Sequence, residues 1–142
     1  MNKREHEVVI MVAEDHTFQR KALLHQIRGL GYRQLLEARD GVEALALCQQ
    51  QRVDILLCDL RMPGMDGMGL LRRLSQAGFR GGIILSSALE GDVVEAVLRM
   101  SAAYGLHVLG RLDKPARPGQ LAQLIQSWSP AREPSRQEEG HR

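Results

Sequence analysis

Five short apolar-rich runs, Val8–Ala13, Gln34–Ala38, Val53–Cys58, Ile83–Ser87 and Leu106–Leu112, alternate strictly with stretches of helical periodicity, and this alternation narrows the fold most. Between the first two runs, Phe18, Leu23, Leu24, Ile27 and Leu30 recur at helical spacing, with Gly29 and Gly31 to close the helix. Asp40-Gly41 turns into a second helix marked by Val42, Ala44, Leu45, Leu47 and Cys48. Met68, Leu70, Leu71 and Leu74 mark a third over 67–77; a fourth is predicted over 92–104 and a fifth over 120–128. Strand and helix in strict succession predict a parallel sheet with right-handed crossovers and helices on both faces. With 142 residues, 44% of them hydrophobic and 25% charged, the chain suits one globular domain with a real core.

The third run drives straight into a carboxylate. Val53, Ile55, Leu56, Leu57 and Cys58 suit a strand covered on both faces, Asp59 follows at its carboxyl end, and Met62-Pro63-Gly64 then breaks regular structure. In open α/β sheets that edge gathers side chains from several strands around one point. Glu14-Asp15 follow the first run, Ser87 ends the fourth and Lys114 follows the fifth, so all open on the same edge. Three carboxylates in one pocket repel, and they either take up protons or bind a hard divalent cation; an oxygen-only set with room for water suits Mg2+. A carboxylate beside such a cation can attack a phosphoryl group, with an ammonium such as Lys114 neutralising the transferred oxygens.

Plainer roles compete for the same residues. Asp59 could be a turn residue, and Glu14-Asp15 could cap the first helix. Asp66-Gly67 reads as the start of the third helix, and His16 as a solvated first-turn side chain. Of Ser86 and Ser87, alternation turns only one toward the pocket, and Ala88 favours Ser87. Cys48 and Cys58 lack metal-ligand spacing and read as reduced, buried thiols. A net charge of +2, with basic residues scattered among acidic ones, argues against nucleic acid. No apolar run approaches the roughly 20 residues of a membrane span, and the N-terminus lacks a signal-peptide core, so a cytoplasmic protein is expected. From Ser129 the chain holds no large apolar residue, and residues 129–142 read as a flexible tail or a linker after a domain over 1–128.

Glu14-Asp15, D-L-R-M-P-G-M-D-G from Asp59 to Gly67, S-S-A from Ser86 to Ala88, and Lys114-Pro115 together resemble the receiver domain of two-component response regulators, over about Val8 to Trp128. The resemblance implies a flavodoxin-like, doubly wound five-stranded parallel sheet of order 2-1-3-4-5 with five helices. It implies that Asp59 is the phosphoacceptor of a signalling switch that is no classical enzyme and catalyses only its own phosphorylation and dephosphorylation. Asp15, Asp59 and the backbone carbonyl of Arg61 would hold Mg2+ directly, Glu14 largely through water. Ser87 would supply the switch hydroxyl, Lys114 would pair with the phosphoryl group, and Lys114-Pro115 would be cis. The implied partners are a sensor histidine kinase or phosphotransfer protein, and a second copy through the surface of the fourth helix, fifth strand and fifth helix.

Two features depart from the family pattern. Arg111 stands three residues before the lysine, where many receivers carry an aromatic switch ring, and a buried guanidinium needs a partner. The segment between Ala88 and Lys114 is several residues longer than in the commonest receivers, and Y-G-L-H-V-L-G-R-L-D-K-P resembles receivers joined to cyclic-di-GMP phosphodiesterase output domains. Other classes fit less well. A phosphatase of the haloacid dehalogenase type needs a second aspartate where Arg61 stands, and a nucleotide cradle needs glycines where Glu14-Asp15-His16-Thr17 stand. A phosphorylation-silent dimerisation or docking module remains the alternative to the switch.

Overall fold

In the computed structural model of the chain, residues 7–129 are described, apart from 63, 66, 89 and 90 and the side chains of 92 and 118. The elements run β1 (Val9–Ala13), α1 (Thr17–Gly29), β2 (Gln34–Ala38), α2 (Gly41–Gln50), β3 (Ile55–Asp59), α3 (Gly67–Gln76), β4 (Gly82–Ser87), α4 (Gly91–Ala103), β5 (His107–Asp113) and α5 (Pro118–Gln126). The five strands are parallel in the order β2-β1-β3-β4-β5, as the alternation and the resemblance led us to expect. Asp66 and the tail beyond Ser129 lie outside the described residues. Among the described residues no helix is long and apolar enough to cross a membrane.

Each central strand is buried at every position because helices cover both faces. Ile10, Val12, Ile55, Leu57 and Ile84 face one side, where they meet Leu23, Leu24 and Ile27 of α1 and Leu121 and Ile125 of α5. Met11, Leu56, Cys58, Ile83 and Leu85 face the other, against Ala44 of α2, Leu70, Leu71 and Leu74 of α3 and Val97 of α4. Each fully buried aliphatic side chain contributes about 1.5–3 kcal/mol, so the two half-cores hold β1 and β3 rigidly side by side. Between those strands the chain's winding direction reverses, and their carboxyl ends leave a crevice there.

Local differences from the sequence-based expectation have clear causes. Phe18, assigned to the buried stripe of α1, is 76% exposed, and its inward place is taken by Arg20, in register with Leu23, Leu24 and Ile27. Helix α5 starts two residues earlier than expected, at Pro118, whose missing N–H costs nothing in the first turn. One residue of the long approach to β5 is taken up by a register shift: Val108 pairs with Ile83 and Gly110 with Ile84, so Leu109 is an extra residue in the strand. Gly110 sits at φ 156° in this bulge. Neither cysteine is in a disulfide among the described residues, but Cys48 is only half-buried, and burial still pushes its thiol up to about 11, which leaves it unreactive at neutral pH.

Gly67 sets the spacing of α3 from the end of β3. A Cβ built there would lie 2.6 Å from Leu60 Cα and 3.1 Å from Leu60 O, which is backbone that cannot swing aside. Gly67→Ala is therefore expected to destabilise the fold by about 1–3 kcal/mol, read as a lower urea midpoint. An unchanged midpoint would mean that the start of α3 can retreat from Leu60 at no cost.

Candidate phosphoryl-transfer site

The carboxyl ends of β1 and β3 bring Glu14, Asp15 and Asp59 together, with one carboxylate oxygen of each within 4.8 Å of the others. Glu14 is 2% and Asp59 4% exposed, whereas Asp15 faces solvent. Asp59 is the last residue of β3; its Oδ1 accepts from Arg61 N at 3.0 Å and its Oδ2 from Lys114 Nζ at 2.9 Å. Lys114 follows β5 through a cis peptide to Pro115 and is also 3.4 Å from Glu14 Oε1 and 3.5 Å from Gln19 Oε1. The cap reading of the acidic pair does not hold, because the N-cap of α1 is His16, an exposed side chain that accepts from Gln19 N. Glu14 Oε2 instead accepts from His16 N at 3.1 Å.

The charges in this cluster do not balance. Three carboxylates face one ammonium, and burial together with the charge of Asp59 raises the Glu14 carboxyl above its usual range, although the His16 N–H and Lys114 pull the other way. Burial disfavours the Lys114 ammonium, but the hydrogen bond and charge of Asp59, joined by the charge of Glu14, outweigh it and hold its pKa above the ordinary value. Glu14 Oε1 is buried and has no hydrogen-bond partner among the described residues, since Lys114 approaches it only as an ion pair. A buried, orphaned carboxylate oxygen beside two more carboxylates is the donor set of a hard divalent cation such as Mg2+, and the residues present fit that ion.

The remaining candidate residues sit around this cluster. Ser86 and Ser87 are both buried; Ser86 pairs in register with Asp59, while Ser87 ends β4 opposite Asp113. Alternation from Ile84 gives Ser86 the face of the sheet that Leu57 and Asp59 occupy, so parity alone does not select Ser87. Arg61 carries an exposed side chain. Arg111 is half-buried; its Nε lies 3.4 Å from Asp113 Oδ1 as an ion pair two residues along the strand, but makes no hydrogen bond among the described residues.

Three neighbours of the cluster escape a reading of strand ends. Gln19 contacts Lys114; Arg20, 6% exposed, donates from its guanidinium to Glu14 O at 2.9 Å and from Nε to Glu37 Oε1 at 2.9 Å. The one sequence clue was an arginine at the spacing of an apolar stripe, where an unpaired charge is almost never found.

Known proteins resemble this chain in sequence and fold. The chain is 35% identical over 125 residues, 87% of its length, to the cyclic di-GMP phosphodiesterase RocR of Pseudomonas aeruginosa, and spans 32% of that protein. It is 31% identical over 122 residues, 84% of its length, to the positive alginate biosynthesis regulatory protein of the same species, of which it spans 46%. The chain thus covers less than half the length of either relative. Among solved structures, the receiver domain of a Pseudomonas aeruginosa sensor histidine kinase, with magnesium coordinated in its active-site cleft, superposes with a TM-score of 0.72 at 30% identity, covering 85% of this chain and 96% of that one. The chemotaxis protein CheY4 of Vibrio cholerae gives a TM-score of 0.72 at 26% identity, covering 86% and 98%. Residues 10–126 match the model of the response regulator receiver domain, and the chain belongs to that family.

Proposed function

We propose that this domain is a signalling switch in which Asp59 accepts a phosphoryl group from the phosphohistidine of a partner histidine kinase or phosphotransfer protein, in a Mg2+-dependent reaction. The observation that carries it is the ion pair of Lys114 Nζ with Asp59 Oδ2, 2.9 Å long, inside a carboxylate cluster that a single ammonium cannot neutralise. Asp15, Asp59 and the Arg61 carbonyl would hold Mg2+ directly and Glu14 largely through water; the ion bound in the related kinase receiver supports this set. When bound, Mg2+ supplies positive charge that offsets the oxygens of the transferring group.

The chain's own residues do the rest. An Asp59 carboxylate oxygen bonds to phosphorus as the P–N bond of phosphohistidine breaks and its electron pair returns to the imidazole. Lys114, already at the carboxylate, moves its contact to the phosphoryl oxygens, and the Ser87 hydroxyl donates to the same group and draws the β4–α4 connection inward. Moving a two-state population from 1:99 to 99:1 takes about 5.5 kcal/mol of differential binding, a scale that one charge-assisted pair and one hydroxyl bond in a partly dry pocket approach. The output surface is α4-β5-α5, where Val93 and Met100 are 45% and 44% exposed and could meet a second copy. Similarity to RocR supports a cyclic-di-GMP phosphodiesterase as the regulated partner domain, joined beyond Ser129.

Incubation with a small-molecule phosphodonor and Mg2+ is expected to add one phosphoryl group by intact mass spectrometry, and EDTA to prevent it. An unlabelled wild type beside a labelled control receiver would favour the silent docking module. Ser87→Ala is expected to keep the labelling but lose the phosphorylation-dependent shifts of α4 amide resonances, whereas Ser86→Ala keeps both. The reverse pattern would move the switch to Ser86.

A further inference from the structure

Arg20 is the one arginine among the described residues that is buried, and it spans two acceptors on different elements. Its guanidinium donates to Glu14 O, at the root of the β1–α1 loop, and to Glu37 of β2, which Lys21 also holds at 3.0 Å. The same Glu14 is tied through its own N–H to Ala38 O at 3.0 Å, and its Oε2 takes the His16 N–H. With backbone N–H, carbonyl and one carboxylate oxygen all hydrogen-bonded, Glu14 has one polar atom without a hydrogen bond among the described residues, which Lys114 meets only as an ion pair at 3.4 Å. That atom, Oε1, is the orphaned oxygen that faces the acidic cluster.

We propose that Arg20 is the positioning residue of the metal-binding loop, with Glu37 as its anchor on β2: the pair holds Glu14 in the one orientation that presents Oε1 to a cation shared with Asp15 and Asp59. This rests on the reading that the three carboxylates hold Mg2+. Lysine cannot replace Arg20, because one ammonium on a flexible stem does not bridge two acceptors as a planar fork does. Groups that orient metal ligands change metal affinity about 10–100-fold when lost.

Titration calorimetry of the full chain with MgCl2, and amide exchange at His16 without metal, test this. Arg20→Lys is expected to raise the Mg2+ Kd about tenfold or more and to speed exchange of the His16 amide. Glu37→Gln, which keeps a hydrogen-bond acceptor, raises the Kd by a smaller factor. Ile125→Val, in the core against α1 and far from the loop, lowers Tm and leaves the Kd at the wild-type value, which separates positioning from general loosening. Wild-type Kd and exchange in Arg20→Lys would overturn the proposal, as would a wild-type Kd in Glu37→Gln should Arg20→Lys fail to fold. If the wild type itself binds no Mg2+, the metal reading fails, and the metal-free exchange at His16 still decides whether Arg20 orders the loop.

Discussion

Asp59→Asn is expected to gain no phosphoryl group under conditions that label the wild type, a loss complete to the limit of intact mass spectrometry. The substitution removes the nucleophilic carboxylate and little else. Asparagine has the same shape, and its side-chain carbonyl can still accept the Arg61 N–H that Asp59 Oδ1 accepts at 3.0 Å, so the end of β3 stays in place. The amide cannot form an acyl phosphate, and it offers Lys114 no charge. Glu14 and Asp15 lie within the same 4.8 Å cluster and are the built-in competitors for the role. Glu14 is buried and Asp15 exposed, so leftover reactivity would fall on Asp15. Labelled Asp15 in the variant at the wild-type rate, found by peptide mapping, would remove Asp59 from the mechanism.

Glu14→Gln should make the metal-free protein more stable and weaken its stabilisation by Mg2+. Burial and the Asp59 charge raise the Glu14 carboxyl in the folded state above the 4.5 of a free glutamate. Between those two values the folded chain binds a proton that the unfolded chain has released, so stability falls as pH rises through that window and stays reduced above it. Glutamine removes this penalty, and a gain of about 0.5–2 kcal/mol at pH 7, the size common for a single stabilising substitution, is expected. The difference between variant and wild type is expected to vanish near pH 4, to grow between 4.5 and the raised folded value, and to level off above it. Added MgCl2 narrows or reverses the order, because bound ion stabilises the wild type more than the variant. Urea melts at several pH values, with and without Mg2+, read both effects. A variant less stable than wild type in the absence of metal would show that Glu14 is better accommodated than its burial implies.

The layout of the sheet and most of the acidic site were legible because both leave marks one strand long. A strand covered on both faces must be apolar throughout, as Ile55–Cys58 is, and a charge that follows at once, as Asp59 does, has to be at an edge. What stayed hidden depends on residues far apart in the chain. Arg20 is buried because Glu37, 17 residues on, and the Glu14 carbonyl receive it, and counting apolar residues along α1 put Phe18 in its place. The extra residue Leu109 shows only in the pairing of β5 with β4; Gly110 was its one trace, and its φ of 156° in the bulge gives its reason. Parity along β4 puts Ser86 on the face of Asp59, so the preference for Ser87 rests on Ala88 and the family resemblance alone.

The burial of the strands also gives the molecule an uneven stiffness. β1, β3 and β4 are sealed at every position, but β5 is half-buried along nearly its whole length, carries the bulge, and has one neighbouring strand. Close-packed strands do not bend by fractions of an ångström without repacking, whereas a half-exposed edge strand can. A push applied at Asp59 therefore meets an anvil beneath it and a spring to one side. Both edges of the sheet, β2 and β5, are half-exposed, but Lys114, which follows β5 and pairs with Asp59, links the crevice by a side chain to β5.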